Sequence, residues 1–185
     1  VTDNLDGLVT ALGAKFTTGR RLGEMTAQLV QKKLGRQGSR YNPTRRVRLV
    51  GGDINDLAKF RNDCIQQYST LWPEQICLQL VSSYGTRIDE IAQLCRHRPD
   101  LAELLARGGD TIAAQVVWAA QHESVVHLTD ILLRRTDLCL LGNPGDTVLE
   151  RCAQLAGDVL NWSEERRQAE LESLRIELGR SIPAA

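Results

Sequence analysis

The chain has 185 residues, 42% of them hydrophobic and 4% aromatic, and its 23 Lys/Arg balance 23 Asp/Glu to a formal charge of zero. That length and apolar content allow one domain with a buried core plus an appendage, and exclude a disordered chain. No apolar run approaches the roughly 20 residues that cross a bilayer, no basic stretch followed by an apolar segment opens the chain, and few aromatics with no recognisable binding module argue against a nucleic-acid partner.

Gly7-Leu8-Val9-Thr10-Ala11-Leu12 is a short apolar and β-branched run that predicts a strand, punctuated by Gly13. Nothing else in the chain reads as its partner, and a strand with unpaired backbone groups is unstable. The expectation is therefore a strand left over from a larger sheet, in the C-terminal piece of a longer protein. Thr17 and Thr18 are the expected N-caps of a helix from Thr17 to Leu34, with Leu22, Met25, Leu29 and Val30 on one face and Gly35 as its stop. Residues 14–48 hold ten Lys/Arg against one acid, Glu24. From Arg36 to Gly52 the composition turns to Gly, Ser, Asn, Pro and Arg, which predicts a linker ending in Val50-Gly51-Gly52. A basic linker suits an anionic membrane surface or an acidic face of its own protein.

Everything beyond Gly52 is helical in pattern. Asn55 is placed to cap a helix to about Tyr68, and Pro73 opens another to about Ser83 that Tyr84-Gly85 ends. Thr86-Arg87-Ile88-Asp89 resembles a capping arrangement for a helix to about Cys95, and Pro99 starts a short one through Leu105. After Gly108-Gly109 comes the most apolar helix, Ile112 to about Glu123, then one from Asp130 to Leu140 capped by Thr129. Gly142-Asn143-Pro144-Gly145 is a turn. Helices from Asp146 to Leu160 and Ser163 to Leu178 complete the set, with Gly179 as the last stop and Pro183 beyond. The fold class expected is mainly α: a bundle of about seven helices, preceded by a short strand and helix.

Five cysteines, Cys64, Cys77, Cys95, Cys139 and Cys152, stand singly in apolar helical patterns without CxxC spacing. The odd count predicts reduced, buried thiols in a cytosolic protein. GxGxxG, Walker, HExxH and GxSxG signatures are absent, so the chain carries no self-contained catalytic motif and no metal site is expected. His122 and His127 are five apart and share no helix face well, so they read as structural. Arg134 and Arg135, near Asp130 and Asp137, read as helical ion pairs rather than phosphate ligands. Trp72, Trp118 and Trp162 read as core packing. The turn Gly13 to Thr18 differs in kind, because orphan amides at a helix start, with the charge of Lys15, can hold an anion or a polarised carbonyl.

Several segments in order resemble the C-terminal part of FAD-dependent glycerol-3-phosphate dehydrogenases and the related α-glycerophosphate oxidases. That family ends its flavin domain with Gly-Gly-Lys-x-Thr-Thr-Tyr-Arg, matched at Gly13, Lys15, Thr17, Thr18 and Arg20, with departures at Ala14 and Gly19. Val50-Gly51-Gly52 and Tyr84-Gly85-Thr86-Arg87 are similar to its linker end and its Tyr-Gly segment. Val116-Val117-Trp118-Ala119-Ala120-Gln121-His122-Glu123 and Leu128-Thr129-Asp130-Ile131-Leu132-Leu133-Arg134-Arg135-Thr136 resemble Val-Val-Tyr-Ala-Val-Arg-His-Glu and Leu-Glu-Asp-Val-Leu-Leu-Arg-Arg-Thr. Leu160-Asn161-Trp162-Ser163 fits the start of its terminal helix.

The resemblance implies that residues 1–35 end an FAD-binding domain, 36–52 form a basic linker and 53–185 the C-terminal helical domain. It implies a parent enzyme oxidising sn-glycerol 3-phosphate to dihydroxyacetone phosphate by hydride transfer to FAD, then passing electrons to a quinone or to oxygen. Lys15 is then the catalytic candidate, on the flavin or substrate side, and Gly13, Phe16, Thr17 and Thr18 the cofactor-binding candidates. The partners implied are the N-terminal FAD domain of the same polypeptide, a second copy in a homo-oligomer and a peripheral membrane contact, in a cytoplasmic or inner-membrane-associated protein. The helical domain would support packing, oligomer contacts or gating. The alternative is a free-standing helical interaction module in which the Gly13 to Thr18 turn is only a helix start.

Overall fold

The computed structural model describes residues 1–13, 15–36, 42–140 and 142–181; Ala14, the linker stretch 37–41 and Pro183 lie outside the described residues. The chain divides into two compact units, Val1–Leu49 and Val50–Ala185.

The first unit opens with a hairpin. β1 (Thr2–Leu5) and β2 (Leu8–Thr10) pair antiparallel, Leu5 against Leu8 and Thr2 against Thr10, with a bulge between. The expected lone strand is thus shorter than 7–12 and has a partner. Asp6-Gly7 makes the turn, with Gly7 at φ +70°, and Asp-Gly between short apolar pairs is the hairpin signal that supplies the partner. Helix α1 (Phe16–Lys33) follows. Neither threonine caps it. Lys15 is the N-cap residue, extended at φ −104° and ψ 125°, and the Thr18 hydroxyl donates back to the Lys15 carbonyl at 3.1 Å. Gly35, at φ +65°, ends the helix, and Lys33 Nζ donates to the Leu5 carbonyl at 2.7 Å, tying the helix end to the hairpin. No α1 side chain is fully buried.

The second unit holds the core. α2 (Leu57–Tyr68) is capped by Asp56, whose carboxylate accepts from Lys59 N at 3.0 Å, one residue after the expected Asn55. α3 (Glu74–Tyr84) begins behind Pro73, and a 3₁₀ turn at Gly85–Arg87 leads into α4 (Ile88–His97) without the expected side-chain cap. Pro99 opens only a 3₁₀ turn, Pro99–Ala102, instead of a helix through Leu105. The chain then turns extended because Leu104 bridges Ile112, with Ala113 N donating to Glu103 O at 3.0 Å and Leu105 N to Thr111 O at 3.0 Å.

α5 (Ala113–His122) is buried at eight successive positions, Ala113 to Ala120, and packs chiefly against α7 (Asp146–Leu160). A helix apolar all round must lie inside, and its four alanines leave room for close neighbours. Between them lies α6 (Leu128–Asp130), which widens into a π-helical turn at Ile131–Arg135 where one regular helix to Leu140 is expected. Thr129 does not cap it. His127 is the N-cap residue, and Asp130 reaches back to it, its carboxylate accepting from Val126 N at 3.0 Å and His127 N at 2.9 Å. α8 (Glu164–Ser181) runs through Gly179 rather than stopping there. It is anchored by buried Glu170, which accepts from Leu128 N at 2.9 Å, Arg166 at 2.6 Å and the His127 ring at 3.0 Å.

Gly51 and Gly85 meet backbone to backbone, and Thr86 N donates to Gly51 O at 2.9 Å. Both have positive φ, +79° and +56°, and a Cβ on either would strike the other strand's backbone. Gly85→Ala combines strain with that collision, so unfolding should become easier by at least about 1–3 kcal/mol. Gly108→Ala, at φ +75° with nothing near its missing Cβ, should cost less; chemical denaturation of the two variants checks the order.

Candidate functional site

The described residues of the Gly13 to Thr18 turn, Gly13 and Lys15 to Thr18, lie at the surface. A Cβ on Gly13 would meet the Leu22 side chain at 2.7 Å, so glycine lets the chain cross closely in front of α1. Thr18 N donates to Lys15 O at 3.1 Å, so its amide is engaged in closing the turn. The amides of Phe16 and Thr17 fall in the first turn of α1, next to Lys15, where a helix offers no intrahelical acceptor. Phe16 is fully exposed, and Leu12, Leu5, Leu8 and Leu34 are each more than half exposed.

Behind the turn, Glu24 gathers cations: Arg21 at 3.0 Å, Arg20 at 3.2 Å and Arg45 at 3.6 Å. Arg45 belongs to a 3₁₀ turn, Pro43–Arg45, that Asn42 caps by accepting from Thr44 N at 3.1 Å. The cluster therefore fastens the end of the linker onto α1, an arrangement the charge count alone does not reveal. Hydrogen bonding from Asn42, then from Arg21 and Arg20, holds the Glu24 carboxyl down at about 2.

In the second unit the resemblance-bearing segments converge. Arg87 forks onto Glu90, Nε to Oε1 at 2.7 Å and Nη2 to Oε2 at 2.6 Å, and its guanidinium lies 4.7 Å over the Trp118 ring. Trp118 Nε1 donates to Glu90 Oε2 at 3.1 Å, Tyr84 packs edge-on to Trp118 at 5.0 Å, and the His122 ring lies at 5.2 Å. The Arg87 hydrogen bonds, with that of Trp118, hold the Glu90 carboxyl below its usual range despite partial desolvation. Gln115, buried on α5, donates to the Tyr84 hydroxyl at 3.1 Å and accepts from Ile112 N at 2.9 Å. Glu123 ends this face: its Oε2 is buried without a hydrogen bond, 3.9 Å from Arg135 Nε, and desolvation pushes its carboxyl up.

The other candidates fall into structural places. Arg134 pairs with Asp130 at 3.3 Å, whereas Arg135 lies near Glu123 and not Asp137. Trp72 and Trp118 are buried and Trp162 half-buried. All five cysteines are free and buried, and burial pushes their thiols up, to about 11 at Cys64, Cys95 and Cys139 and about 12 at Cys152, so none is poised as a thiolate. Among the described residues no His, Cys, Asp and Glu group could hold a metal ion, and no helix is long and apolar enough to cross a membrane.

Comparison with known proteins gives a family match over residues 42–167, to the C-terminal domain of alpha-glycerophosphate oxidase. The glycerol-3-phosphate dehydrogenase of Synechocystis sp. is 29% identical over 171 residues, covering 92% of this chain and 30% of that protein. A probable mitochondrial glycerol-3-phosphate dehydrogenase of Dictyostelium discoideum is 29% identical over 90% of this chain and 26% of its own length. The human mitochondrial enzyme of that name is 27% identical over 91% and 23%. The chain thus spans under a third of each of these relatives. No solved structure matches it.

The Glu24 cluster gives a pH test. Its ordinary carboxyl value is 4.5 and its folded value about 2, so the carboxylate holds the linker turn above 4.5 and releases it as pH falls from there through 2. The Glu24 carboxyl ¹³C shift should titrate near 2, with loss of Thr44 amide protection in the same window; a midpoint at 4.5 means the cluster does not form.

Proposed function

The chain belongs to the family of the C-terminal domain of alpha-glycerophosphate oxidase, and on that premise we propose that it is the C-terminal part of a flavoprotein that oxidises sn-glycerol 3-phosphate to dihydroxyacetone phosphate. The observation that carries this reading is the extent of the likeness: the relatives named as glycerol-3-phosphate dehydrogenases match over 90–92% of the chain, more than the helical unit alone makes up, so the likeness extends into the first unit.

The group such an enzyme uses is FAD, which accepts the hydride from the alcohol carbon and hands its electrons on to a quinone or to oxygen. The donor set at the start of α1 fits that group. The Phe16 and Thr17 amides and the Lys15 ammonium all offer positive character at one exposed edge, which favours negative charge on the ring or the substrate. Gly13 permits the close approach, and Thr18 closes the turn with both its amide and its hydroxyl. The exposed apolar side chains of the first unit, Phe16 foremost, support a position against further protein, the FAD domain of the same polypeptide.

Among the described residues the helical unit holds no group that could bind a metal ion and no cysteine poised as a thiolate, and the part we assign to it is support. The Arg87–Glu90–Trp118 network stiffens the face formed by Tyr84-Gly85 and the end of α5, and that face, with the acidic charge of the unit, suits domain packing, oligomer contacts or gating.

Two outcomes follow. The purified chain should bind no FAD and oxidise no glycerol 3-phosphate; a yellow, active preparation overturns the assignment of catalysis to a partner domain. In the longer polypeptide Lys15→Ala should slow flavin reduction by substrate by roughly 10²-fold while leaving the melting temperature nearly unchanged, and stopped-flow absorbance at the flavin band reads it. An unchanged rate removes Lys15 from the site.

A further inference from the structure

The extended segment after the 3₁₀ turn at Pro99–Ala102 borders two clefts, of about 780 Å³ and about 140 Å³, which meet at Leu105 and Val148. Each has more room than one water needs. Their shared wall is apolar: Leu105 and Val148 are half-buried, Leu104, 47% exposed, lines the smaller cleft, and Leu140, 76% exposed, lines the larger. Exposed apolar side chains gathered within a polar rim mark contact surfaces.

The backbone along this segment is only half used. In an antiparallel pair, successive residues turn their N–H and C=O alternately toward and away from the partner. Glu103 and Leu105 turn theirs inward, Glu103 O accepting from Ala113 N and Leu105 N donating to Thr111 O, each at 3.0 Å. Leu104, the residue between them, bridges Ile112 through these neighbours, so its own amide and carbonyl face outward. Among the described residues no backbone group takes them. An unpaired strand edge is a template for a further strand.

Charge decides which strand. Asp100 is already taken by Arg98 and Arg151, each at 2.9 Å. Glu103 on the smaller cleft, and Asp110 and Asp137 on the larger, have no ion pair among the described residues, and Arg107 offsets one charge of the three.

We propose that this groove is a docking site for an extended segment of another protein, one in which basic and apolar residues alternate. Its backbone pairs with the amide and carbonyl of Leu104, an apolar side chain lies over Leu105 and Val148, and basic side chains meet Glu103 on one side and Asp110 with Asp137 on the other. Main-chain pairing holds the segment extended, and the acids select it, since a segment carrying carboxylates meets like charge. The docking needs nothing from the reaction of the longer polypeptide.

The test is a ¹H–¹⁵N NMR titration of the 185-residue chain with the end-capped hexapeptide Lys-Val-Lys-Val-Lys-Val. Two controls go beside it: Glu-Val-Glu-Val-Glu-Val, and the basic peptide methylated on every backbone nitrogen, which keeps the charges and removes the donors. The basic peptide should saturate in the millimolar range or below, with its largest shifts at the Leu104, Leu105 and Asp110 amides. Each control should bind at least about tenfold more weakly. Asp110→Asn combined with Asp137→Asn should weaken the basic peptide at least about tenfold with the circular dichroism spectrum unchanged. Should that pair unfold the chain, Glu103→Gln and the control peptides decide the matter. The longer polypeptide should bind the basic peptide as the 185-residue chain does. No saturation, equal binding of either control, binding that survives the substitutions, or a longer polypeptide that excludes the peptide overturns the proposal.

Discussion

Helix α5 has no polar face. Ala113 to Ala120 are buried on every side, so the helix has to be surrounded, and the rest of the second unit is the arrangement that surrounds it. α7 lies along it, with Leu149, Cys152, Leu155 and Ala156 buried, and α4 and the 3₁₀ turn before the 103–112 loop cover other sides. Each large apolar side chain removed from water is worth about 1.5–3 kcal/mol, and the small alanines let those side chains approach closely. The same constraint fixes Trp118. Its indole nitrogen would be an orphan in such a helix, and Glu90 from α4 accepts from it, held in turn by Arg87.

The polar groups admitted to this interior each hold elements that are distant in sequence. Gln115 joins the start of α5 to the end of α3 through the Tyr84 hydroxyl. Glu170 joins α8 to the start of α6. The Tyr68 hydroxyl donates to Asp89, joining α2 to α4, and burial with that bond pushes the phenol above its usual range. A buried polar group without a partner is costly, so each bond specifies one packing out of the many that apolar surfaces alone allow. Glu123 and Gln79 keep an unpaired buried oxygen each, and both lie close to the arginine-bearing turn, where the helical ladder widens.

The first unit is organised differently. With no buried side chain in α1, it is held by its hairpin, by Lys33 on the Leu5 carbonyl and by the Glu24 cluster. A two-stranded hairpin is marginal by itself, and apolar side chains around the turn at Lys15 stay exposed.

The sequence by itself determined the elements whose signal is local and apolar. The span Asp146–Leu160 was legible to the residue, because Gly145 and a left-handed Asn161 bracket a clean 3.6-residue pattern. The buried single cysteines and the all-apolar stretch from Ile112 were legible for the same reason. The outward turn at Lys15 was legible as a helix start, though its cap was not, since a threonine can cap or bond backward and only the backbone course decides. The strand partner of Leu8–Thr10 carries a local signal too, the Asp6-Gly7 turn, but Thr2–Leu5 is mostly polar and does not read as a strand. Tertiary structure alone decided the rest. The 103–112 segment is extended because Leu104 finds Ile112, and the helix after Asp130 widens where Thr136 closes onto Ile131. Arg135 turns to Glu123 instead of Asp137. Periodicity reports which face of a segment is apolar, but what a polar group meets depends on chains far away in sequence, and that is settled only when the core closes.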